Sequence, residues 1–287
     1  MGGVMAACLV RVGEAVTLVV RPETLATHPA SIELKSAFGS WTAEVEWASS
    51  VPPVDVLWLT VKAPQLESAL QLIPDASAVG VIVPLLNGID HVHLLQSKYG
   101  VNRVIPATIA GEMERLSVGH FIHPSPFMIL NISGRGRDLL GPLAEKLRGL
   151  GFICNFIDDE TTLMWSKLVI LGPMALTTAA FDKTIGEIRT DPETNRNFEA
   201  CVREACAAGK AEGAKVDADA TLTLFQKSPH AMRSSMQKDV DNGKPPELNA
   251  IGGAIVRAAK RHGLTASVTE DLMSRVERRV QVSRAAS

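Results

Sequence analysis

Continuous runs of aliphatic residues, each about one β-strand long, constrain the fold of this chain more than any other feature. They lie at Ala15–Val20, Val54–Val61 and Ala78–Leu85, and runs without polar alternation predict strands that are buried on both faces. Helical patterns flank them, over Val4–Val12 before the first run and over Gln65–Leu72 between the second and third. Buried strands that alternate with helices are typical of a parallel, doubly wound α/β sheet.

The rest of the first half continues this α/β pattern with shorter elements. The predicted elements are strands near Ser31–Leu34, Ala43–Trp47, Arg103–Ile109 and Phe152–Ile157, antiparallel strands from Glu112 to about Ile132, and helices at about 90–98 and over Arg137–Leu150. The first half therefore indicates a Rossmann-type, doubly wound domain.

From about Asp158 the pattern changes to helices only. Capping boxes are predicted at Thr190-x-x-Glu193 and Ser267-x-x-Glu270. The helices expected after Thr190 are one that runs to about Gly213, three at about 219–227, 230–241 and 246–262, and one after Ser267. We therefore predict two domains: an N-terminally incomplete NADP-binding domain over 1–157 and a helical substrate and dimerisation domain over 158–287.

The first predicted helix of the second domain carries a single cation, Lys167, among apolar residues. Its neighbours at helical spacing are Leu163, Ile170 and Leu171, so its own helix offers the ammonium no carboxylate. A lysine buried without a partner is costly, so it must either reach water or point into a polar cleft. This stretch alone leaves two interpretations open: a lysine that reaches the surface at a helix–helix contact, or a proton donor to a small molecule.

The beginning of the chain corresponds to only part of a dinucleotide-binding fingerprint. That fingerprint is a strand followed by Gly-x-Gly-x-x-Gly, which leads into a helix whose N-terminus holds the pyrophosphate. Here Gly2-Gly3 leads directly into a helix and then a strand, so the first strand and first two glycines are expected to be missing. Either the true start lies upstream of Met1 or the product is a damaged cofactor binder, and the intact downstream pattern favours the first explanation.

Polar residues follow three of the predicted strands, namely Arg21, Lys62 and Asn87. In doubly wound sheets, ligands bind beyond the carboxyl ends of the strands. An arginine after the second strand of such a fold suits a ribose 2′-phosphate, whereas an acidic residue there would read the 2′-hydroxyl. Arg21 therefore predicts NADP(H), although a surface arginine before a proline is the simpler alternative.

The overall composition excludes several classes of protein. A formal net charge of -2 provides no basic field for nucleic acid. The four cysteines match no zinc or disulfide signature, the histidines have no acid or cysteine cluster beside them, and no metal site is predicted. No signal peptide is recognised, and no apolar run approaches the ~20 residues that a membrane span needs. We expect a cytoplasmic protein without membrane or nucleic-acid partners.

Several short motifs then occur in a fixed order. They are Val-Thr-Leu-Val-Val-Arg at 16–21, Thr-Val-Lys-Ala at 60–63, Asn87-Gly88, Trp-Ser-Lys-Leu at 165–168, Ser-Ser-Met-Gln-Lys-Asp at 234–239, and Glu247 followed by Gly252-Gly253 and Arg261-His262-Gly263. With these motifs the chain resembles the ketopantoate reductase family (2-dehydropantoate 2-reductases) over essentially its whole length.

The resemblance implies reduction of the ketone of a 2-oxo acid by NADPH, most directly 2-dehydropantoate to pantoate in pantothenate and coenzyme A biosynthesis, in a homodimer. It implies that Lys167 is the general acid, that Glu247 holds the substrate hydroxyl and that Ser235 helps to bind the substrate. Asn87 and Lys62 would line the nicotinamide and ribose side, with Asn87 also near the substrate. The residue types agree with these roles, because a lysine is charged at neutral pH and can stabilise a developing alkoxide. The simpler alternative for Glu247 is a charge at a helix N-terminus.

Three positions depart from the family pattern. Leu171, Ala175 and Gly252 stand where the family usually carries asparagines, and their side chains form no hydrogen bonds. Because polar and apolar sites discriminate strongly between substrates, two alternatives stay open. One is a reductase of a different, less polar 2-oxo acid, and the other is a non-catalytic relative that binds a metabolite.

Overall fold

The structure, a computed structural model, describes residues 1–285, with side chains described through residue 283. It divides into two compact units: Met1–Leu86 together with His91–Leu163, and Asn87–Asp90 together with the chain from Met164 onward. Residues 87–90 thus belong to the second unit although they follow a strand of the first. The assignment of 1–157 to the cofactor and 158–287 to substrate and dimer contacts stays a prediction.

The first unit alternates strands and helices. Its strands are β1 (Thr17–Val19), β2 (Ser31–Ser36), β3 (Gly39–Glu44), β4 (Glu46–Ala48), β5 (Val54–Leu59), β6 (Val79–Pro84), β7 (Ala107–Ala110), β8 (Glu114–Ser117), β9 (His120–His123), β10 (Met128–Ser133) and β11 (Phe152–Ile157). Its helices are α1 (Gly2–Arg11), α2 (Leu66–Leu70), α3 (Asp90–Tyr99, whose first residue belongs to the second unit) and α4 (Arg137–Leu150).

The strands pair in both directions. β1 pairs with β4, β5 with β6, β10 with β11 and β2 with β9 in parallel, whereas β2 with β3, β8 with β9 and β7 with β10 are antiparallel. The α/β class predicted from the aliphatic runs is confirmed. β1 is shorter than its aliphatic run predicted, and its three residues are half-buried, whereas the run predicted burial on both faces. Its partner strand is β4, in a sheet of two strands.

Helix α1 fits closely against the first unit because it begins with two glycines. A Cβ at Gly3 would run into the ring of Phe121 on β9, and one at Gly2 would lie 2.7 Å from Thr60 Oγ1, just after β5. The next six residues of α1 are buried and contribute to the core of this unit. Glycine therefore sets the distance between this helix and the strands beneath it.

The second unit consists of helices around one apolar core. They are the rest of α5 (Glu160–Phe181), α6 (Ile185–Thr190), α7 (Pro192–Ala211), α8 (Ala218–Gln226), α9 (Ser235–Asp241), α10 (Leu248–Arg261) and α11 (Ser267–Ala285). Helix α5 contributes Trp165, Leu168 and Leu176 to the core, and α10 contributes Ile251 and Ile255. The predicted all-helical second half is confirmed.

Both predicted capping boxes are wrong in detail. Thr190 is the last residue of α6, where its hydroxyl donates to the carbonyls of Gly186 and Glu187. The N-cap of α7 is Asp191, whose carboxylate accepts from the backbone N–H groups at 193 and 194. Asp191 is the better cap because two N–H groups face its carboxylate. The short helix α6 was not predicted, and the box that forms is Thr184 with Glu187.

The Ser267 box fails for a long-range reason. Ser267 is already inside α11, and the first N–H groups of that helix, at Val268 and Thr269, donate to the carboxylate of Glu204 on α7 at 3.0 and 2.8 Å. A carboxylate from a packed neighbouring helix satisfies the same donors that a local cap would satisfy. Sequence spacing cannot reveal such a partner.

Helix α5 corrects the expectation about apolar runs. Its 22 residues are long and apolar enough to cross a membrane by length and composition alone. However, 67% of its apolar stretch is buried inside the protein. This burial is the ordinary environment of a core helix.

Candidate active site

Lys167 is a half-buried residue of α5, and the next two residues, Leu168 and Val169, belong to the apolar core of the second unit. Its Nζ donates to Asn87 Oδ1 at 2.9 Å. Asn87 comes from the segment after β6, 80 residues earlier in the chain. The partner that the helix itself does not offer is therefore provided by a distant segment of the same unit.

The amide of Asn87 joins Lys167 to a carboxylate. Its Nδ2 donates to Glu247 Oε2 at 2.9 Å while its Oδ1 accepts from the lysine. The cation on one side and the anion on the other fix which end of the amide faces each group. Lys167, Asn87 and Glu247 thus form one hydrogen-bonded chain, called here the Lys–Asn–Glu chain.

Glu247 is buried, with 8% of its surface exposed, and it occupies the N-cap position of α10. Its side chain makes no capping hydrogen bond to that helix. The carboxylate instead accepts from Asn87. The simpler interpretation of Glu247 as only a helix-terminal charge does not account for this geometry.

Burial lowers the pKa of Lys167 to about 8, and the charge of Glu247 acts in the opposite direction. Desolvation penalises the charged form of a lysine, and a nearby carboxylate favours it. An ammonium with a pKa close to physiological pH is still largely protonated there, yet it gives up its proton far more readily than a surface lysine. Such a group is suited to general acid catalysis.

The backbone at Asn87 is held by its neighbour Gly88. Gly88 has φ +83°, a conformation that favours glycine, and a Cβ there would collide with the carbonyl oxygen of Ala250 on α10. The Asn87-Gly88 turn can therefore lie directly against the first turn of α10. Glu247 occupies the N-cap position of that same helix, which explains why the amide reaches its carboxylate.

Ser235, predicted to bind substrate, is the exposed first residue of α9. Its neighbour Ser234 is the buried one: Ser234 Oγ caps α9 by accepting from Gln237 N at 3.1 Å and lies 2.6 Å from Thr178 Oγ1. The role of Ser235 stays a prediction, and the Lys–Asn–Glu chain forms without it.

The three positions that depart from the family pattern have different environments. Leu171, one turn after Lys167, is half-buried, whereas Ala175 is fully buried in the core. A Cβ at Gly252 would lie 2.8 Å from Met273 Sδ and 3.1 Å from Leu176 Cδ2. Glycine at 252 therefore lets α10 pack closely against its neighbours, and an asparagine would require them to move.

Four of the predicted cofactor residues, Gly2, Gly3, Arg21 and Lys62, belong to the first unit, whereas Asn87 belongs to the second. Gly2 and Gly3 start α1, which leaves its first backbone N–H groups available for an anion. Arg21 is exposed two residues after the end of β1, with its Nε 3.7 Å from Glu23 Oε1. Lys62 is exposed at the start of a short 3-10 helix, Ala63–Gln65. These groups fit a phosphorylated dinucleotide in type and exposure.

The residues that could hold a metal ion are scattered. Within residues 1–285 no group of three or more His, Cys, Asp or Glu side chains lies close enough to bind one. The described site is instead built from one cation, one amide and one carboxylate.

A Rossmann-type α/β unit followed by a helical unit defines the class of protein by its fold. Family comparison makes this specific. The family described as "Ketopantoate reductase PanE/ApbA" matches residues 1–131, and its C-terminal part, "Ketopantoate reductase PanE/ApbA C terminal", matches residues 160–280. The chain belongs to the ketopantoate reductase family, whose members are oxidoreductases that act on CH–OH groups.

Individual relatives agree with this assignment. The 2-dehydropantoate 2-reductase of Mycobacterium tuberculosis is 30% identical over 234 residues, which cover 77% of this chain and 75% of that protein. Among solved structures, D-mandelate dehydrogenase with NADH and anilino(oxo)acetate superposes with a TM-score of 0.87 at 20% identity, over 99% of this chain and 96% of that one. The 2-dehydropantoate 2-reductase from Geobacter metallireducens superposes with a TM-score of 0.84 at 21% identity, over 96% of both chains.

Proposed function

We propose that the protein is an NADPH-dependent reductase of a 2-oxo acid, and that its substrate is 2-dehydropantoate, which it reduces to pantoate for pantothenate and coenzyme A biosynthesis. The observation that carries this proposal is the Lys–Asn–Glu chain, which holds a proton donor of lowered pKa in a largely apolar setting. The 30% identical relative of that name supports the choice of substrate.

In the proposed reaction the ketone oxygen becomes an alkoxide and must be protonated. NADPH, when bound, supplies the hydride that adds to the carbonyl carbon. Lys167 donates one proton from Nζ to the forming alkoxide, which leaves a neutral amine that regains its proton from solvent. An ammonium close to a developing oxyanion both stabilises the charge and removes it.

Asn87 and Glu247 prepare Lys167 for this step. The amide oxygen accepts one N–H of the ammonium, which orients the remaining protons, and the carboxylate keeps the lysine charged despite its burial. Glu247 can also accept a hydrogen bond from a substrate hydroxyl, because a carboxylate has several acceptor sites. Ser235 is retained as a proposed contact to the substrate.

The proposed cofactor contacts are four residues of the first unit together with Asn87 of the second. Gly2 and Gly3 would bring the N-terminus of α1 close to a pyrophosphate, and Arg21 would pair with the ribose 2′-phosphate. Lys62 and Asn87 are proposed to line the nicotinamide and ribose side. The choice of NADPH over NADH rests on Arg21, because a guanidinium matches a phosphate and an acidic residue would repel it.

A second candidate is reduction of a less polar 2-oxo acid. Leu171 shares the face of α5 with Lys167, one turn away, and offers an apolar, half-buried side chain where the family usually carries an asparagine. The fold itself does not decide the substrate, since D-mandelate dehydrogenase has the same fold. A homodimer and a cytoplasmic location also stay predictions.

The test is a spectrophotometric assay of the purified protein with NADPH and NADH against 2-dehydropantoate and a series of apolar 2-oxo acids. We expect oxidation of NADPH in preference to NADH, and a Lys167→Ala variant should lose about 10²-fold or more in kcat with little change in NADPH binding. Lys227→Ala is the matched control, because that lysine is exposed at the end of α8.

Each outcome separates the candidates. Turnover of 2-dehydropantoate favours the 2-dehydropantoate reductase, and faster turnover of apolar 2-oxo acids favours the reductase of a less polar substrate. NADPH binding without turnover of any 2-oxo acid would instead identify a non-catalytic relative that binds a metabolite. Near-full activity of Lys167→Ala would remove Lys167 from the role of general acid.

A further inference from the structure

The segment that carries Asn87 is fastened to the first turn of α10 beyond the Lys–Asn–Glu chain itself. Gly88 makes the close approach to Ala250 possible, as described above. Asp90, three residues after Asn87, forms an ion pair with Arg257 of α10. The segment is therefore attached to α10 on both sides of its turn, at Glu247 and at Arg257.

Arg257 also holds the first turn of α10. Its Nη1 donates to Asn249 Oδ1 at 2.6 Å and its Nη2 donates to the Asn249 carbonyl at 2.9 Å. Asn249 lies two residues after Glu247. One guanidinium thus contacts the segment of Asn87 and the turn of Glu247 at the same time.

A second glycine leaves the room for this arrangement. A Cβ at Gly253 would lie 2.5 Å from Asn249 Oδ1 and 2.7 Å from Arg257 Nη1. Neither distance is compatible with a side chain unless the guanidinium or the amide moves. The glycine therefore allows the contact between Arg257 and Asn249 to form over the face of α10.

We propose that Arg257, with Asp90 and Asn249, is a positioning residue that holds the amide of Asn87 in register with Glu247 and so orients Lys167 for proton transfer. These three residues are called the Arg257 clamp. The inference rests on the proposed function, because it assigns the clamp to the step in which Lys167 acts. Arg257 pairs with Asp90 and Asn249, so it is proposed to act on Lys167 through the two segments that it joins.

The size of the expected effects distinguishes a positioning role of the clamp from a general contribution to folding stability. Asp90 and Arg257 are partly exposed, with side-chain exposures of 48% and 41%, and ion pairs of that kind contribute little to folding. A misplacement of a catalytic group by about 1 Å, however, can cost about 10²-fold in rate. Loss of the clamp should therefore slow the reaction much more than it destabilises the protein.

The experiment compares Arg257→Ala, Arg257→Lys and Asp90→Ala in the steady-state assay, with Arg278→Ala, an exposed arginine of α11, as the control. We expect kcat to fall about tenfold or more in Arg257→Ala, with KM for NADPH nearly unchanged and the thermal midpoint shifted by no more than about 4 °C. Arg257→Lys should retain intermediate activity, because an ammonium can pair with Asp90 but cannot also make both hydrogen bonds to Asn249.

Two further readouts are specific to positioning. The alkaline limb of the kcat profile should move to lower pH in Arg257→Ala, since Lys167 loses the aligned Asn87 and Glu247 that favour its charged form. The double variant of Arg257→Ala and Asp90→Ala should be no slower than Arg257→Ala alone, because both changes release the same segment.

The possible failures are distinguishable. If Lys167→Ala is as active as the unchanged protein, the proposed function itself is wrong. If Lys167→Ala is inactive while Arg257→Ala and Asp90→Ala keep full kcat and an unchanged pH profile, the clamp is wrong and the proposed function stands. A rise in substrate KM at constant kcat would make Arg257 a binding residue and would also overturn the proposal. Should Arg257→Ala not fold, Asp90→Ala alone decides between these outcomes.

Discussion

Lys167 shows how one residue can serve chemistry at a cost to stability. Burial takes its charge out of water, and the charge of Glu247 offsets only part of that desolvation, so the pKa of Lys167 remains lowered to about 8. A group whose pKa is lower in the folded state is held there in a charged form that the unfolded chain solvates better. An isolated lysine would be an unfavourable choice for packing alone.

Replacement of Lys167 by methionine should therefore stabilise the protein near pH 7. Methionine has a similar length and is apolar, so the penalty for the buried charge is removed. With a pKa that falls from 10.5 to about 8 on folding, we expect a gain of about 1 to 3 kcal/mol in the free energy of unfolding, since one unit corresponds to about 1.4 kcal/mol and Asn87 loses a donor. Urea unfolding at pH 7 measures this difference.

The pH dependence provides the check on this explanation. Below pH 8 the lysine is protonated in both the folded and the unfolded state, and the full free-energy cost of burying its charge applies. Between pH 8 and 10.5 the folded state releases this proton while the unfolded state still holds it. The stability of the unchanged protein should therefore rise relative to Lys167→Met across that interval. Lys227→Met, at an exposed position, is the control variant. A Lys167→Met variant that is less stable at every pH would contradict the account.

At the scale of elements, the helices of the second unit depend on caps that cross from one helix to another. α11 begins against Glu204 of α7, whose Oε2 also accepts from Thr269 Oγ1 at 2.7 Å. The first N–H groups of a helix lack partners within the helix, and a carboxylate there also interacts favourably with the helix dipole. This contact both starts α11 and fixes its position on α7.

Glu204→Ala should accordingly destabilise the protein by about 1 to 2 kcal/mol, the usual magnitude for loss of a helix cap. Glu270→Ala is the matched control, since Glu270 is the exposed residue that the sequence pattern assigned to a capping box with Ser267. It should change the free energy of unfolding by less than about 0.5 kcal/mol. Equal effects in the two variants, measured by urea unfolding, would show that Glu204 is not the cap.

At the scale of the whole molecule, buried thiols are distributed over both units. Cys8 and Cys154 lie in the first unit and Cys201 and Cys206 in the second, and all four are free and buried. Burial raises the pKa of Cys8 and Cys201 to about 12 and that of Cys154 to about 11. Because the thiolate is the reactive form, these cysteines should be inert in the folded protein.

Thiol labelling should consequently report the integrity of both units. We expect no reaction with 5,5′-dithiobis(2-nitrobenzoic acid) at pH 8 in the folded state and reaction of all four cysteines in denaturant. Mass spectrometry at intermediate denaturant then shows whether the two units open together. Rapid labelling of any one of the four in the folded protein would contradict the described burial.

The local elements could largely be predicted from the sequence. The aliphatic runs at β5 and β6 and the amphipathic pattern of α4 identified those elements with nearly correct limits, because hydrophobic periodicity reflects which face of a segment is buried. Lys167 could also be selected, since a lone cation among apolar residues is unusual in any fold. Gly2 and Gly3 could be recognised as the remnant of a dinucleotide-binding fingerprint, whereas their close contacts with Thr60 and Phe121 were found only in the structure.

The partners of these residues were decided only by the tertiary structure. The sequence indicated that Lys167 has no carboxylate on its own helix, but not that Asn87 would lie between it and Glu247, which is 160 residues from that asparagine. Nothing in the sequence pattern indicated a role for Arg257, because a charged residue on an amphipathic helix is ordinary. Periodicity describes burial within one segment, whereas a hydrogen bond between segments depends on how close their backbones come. That approach was determined here by Gly88 against α10.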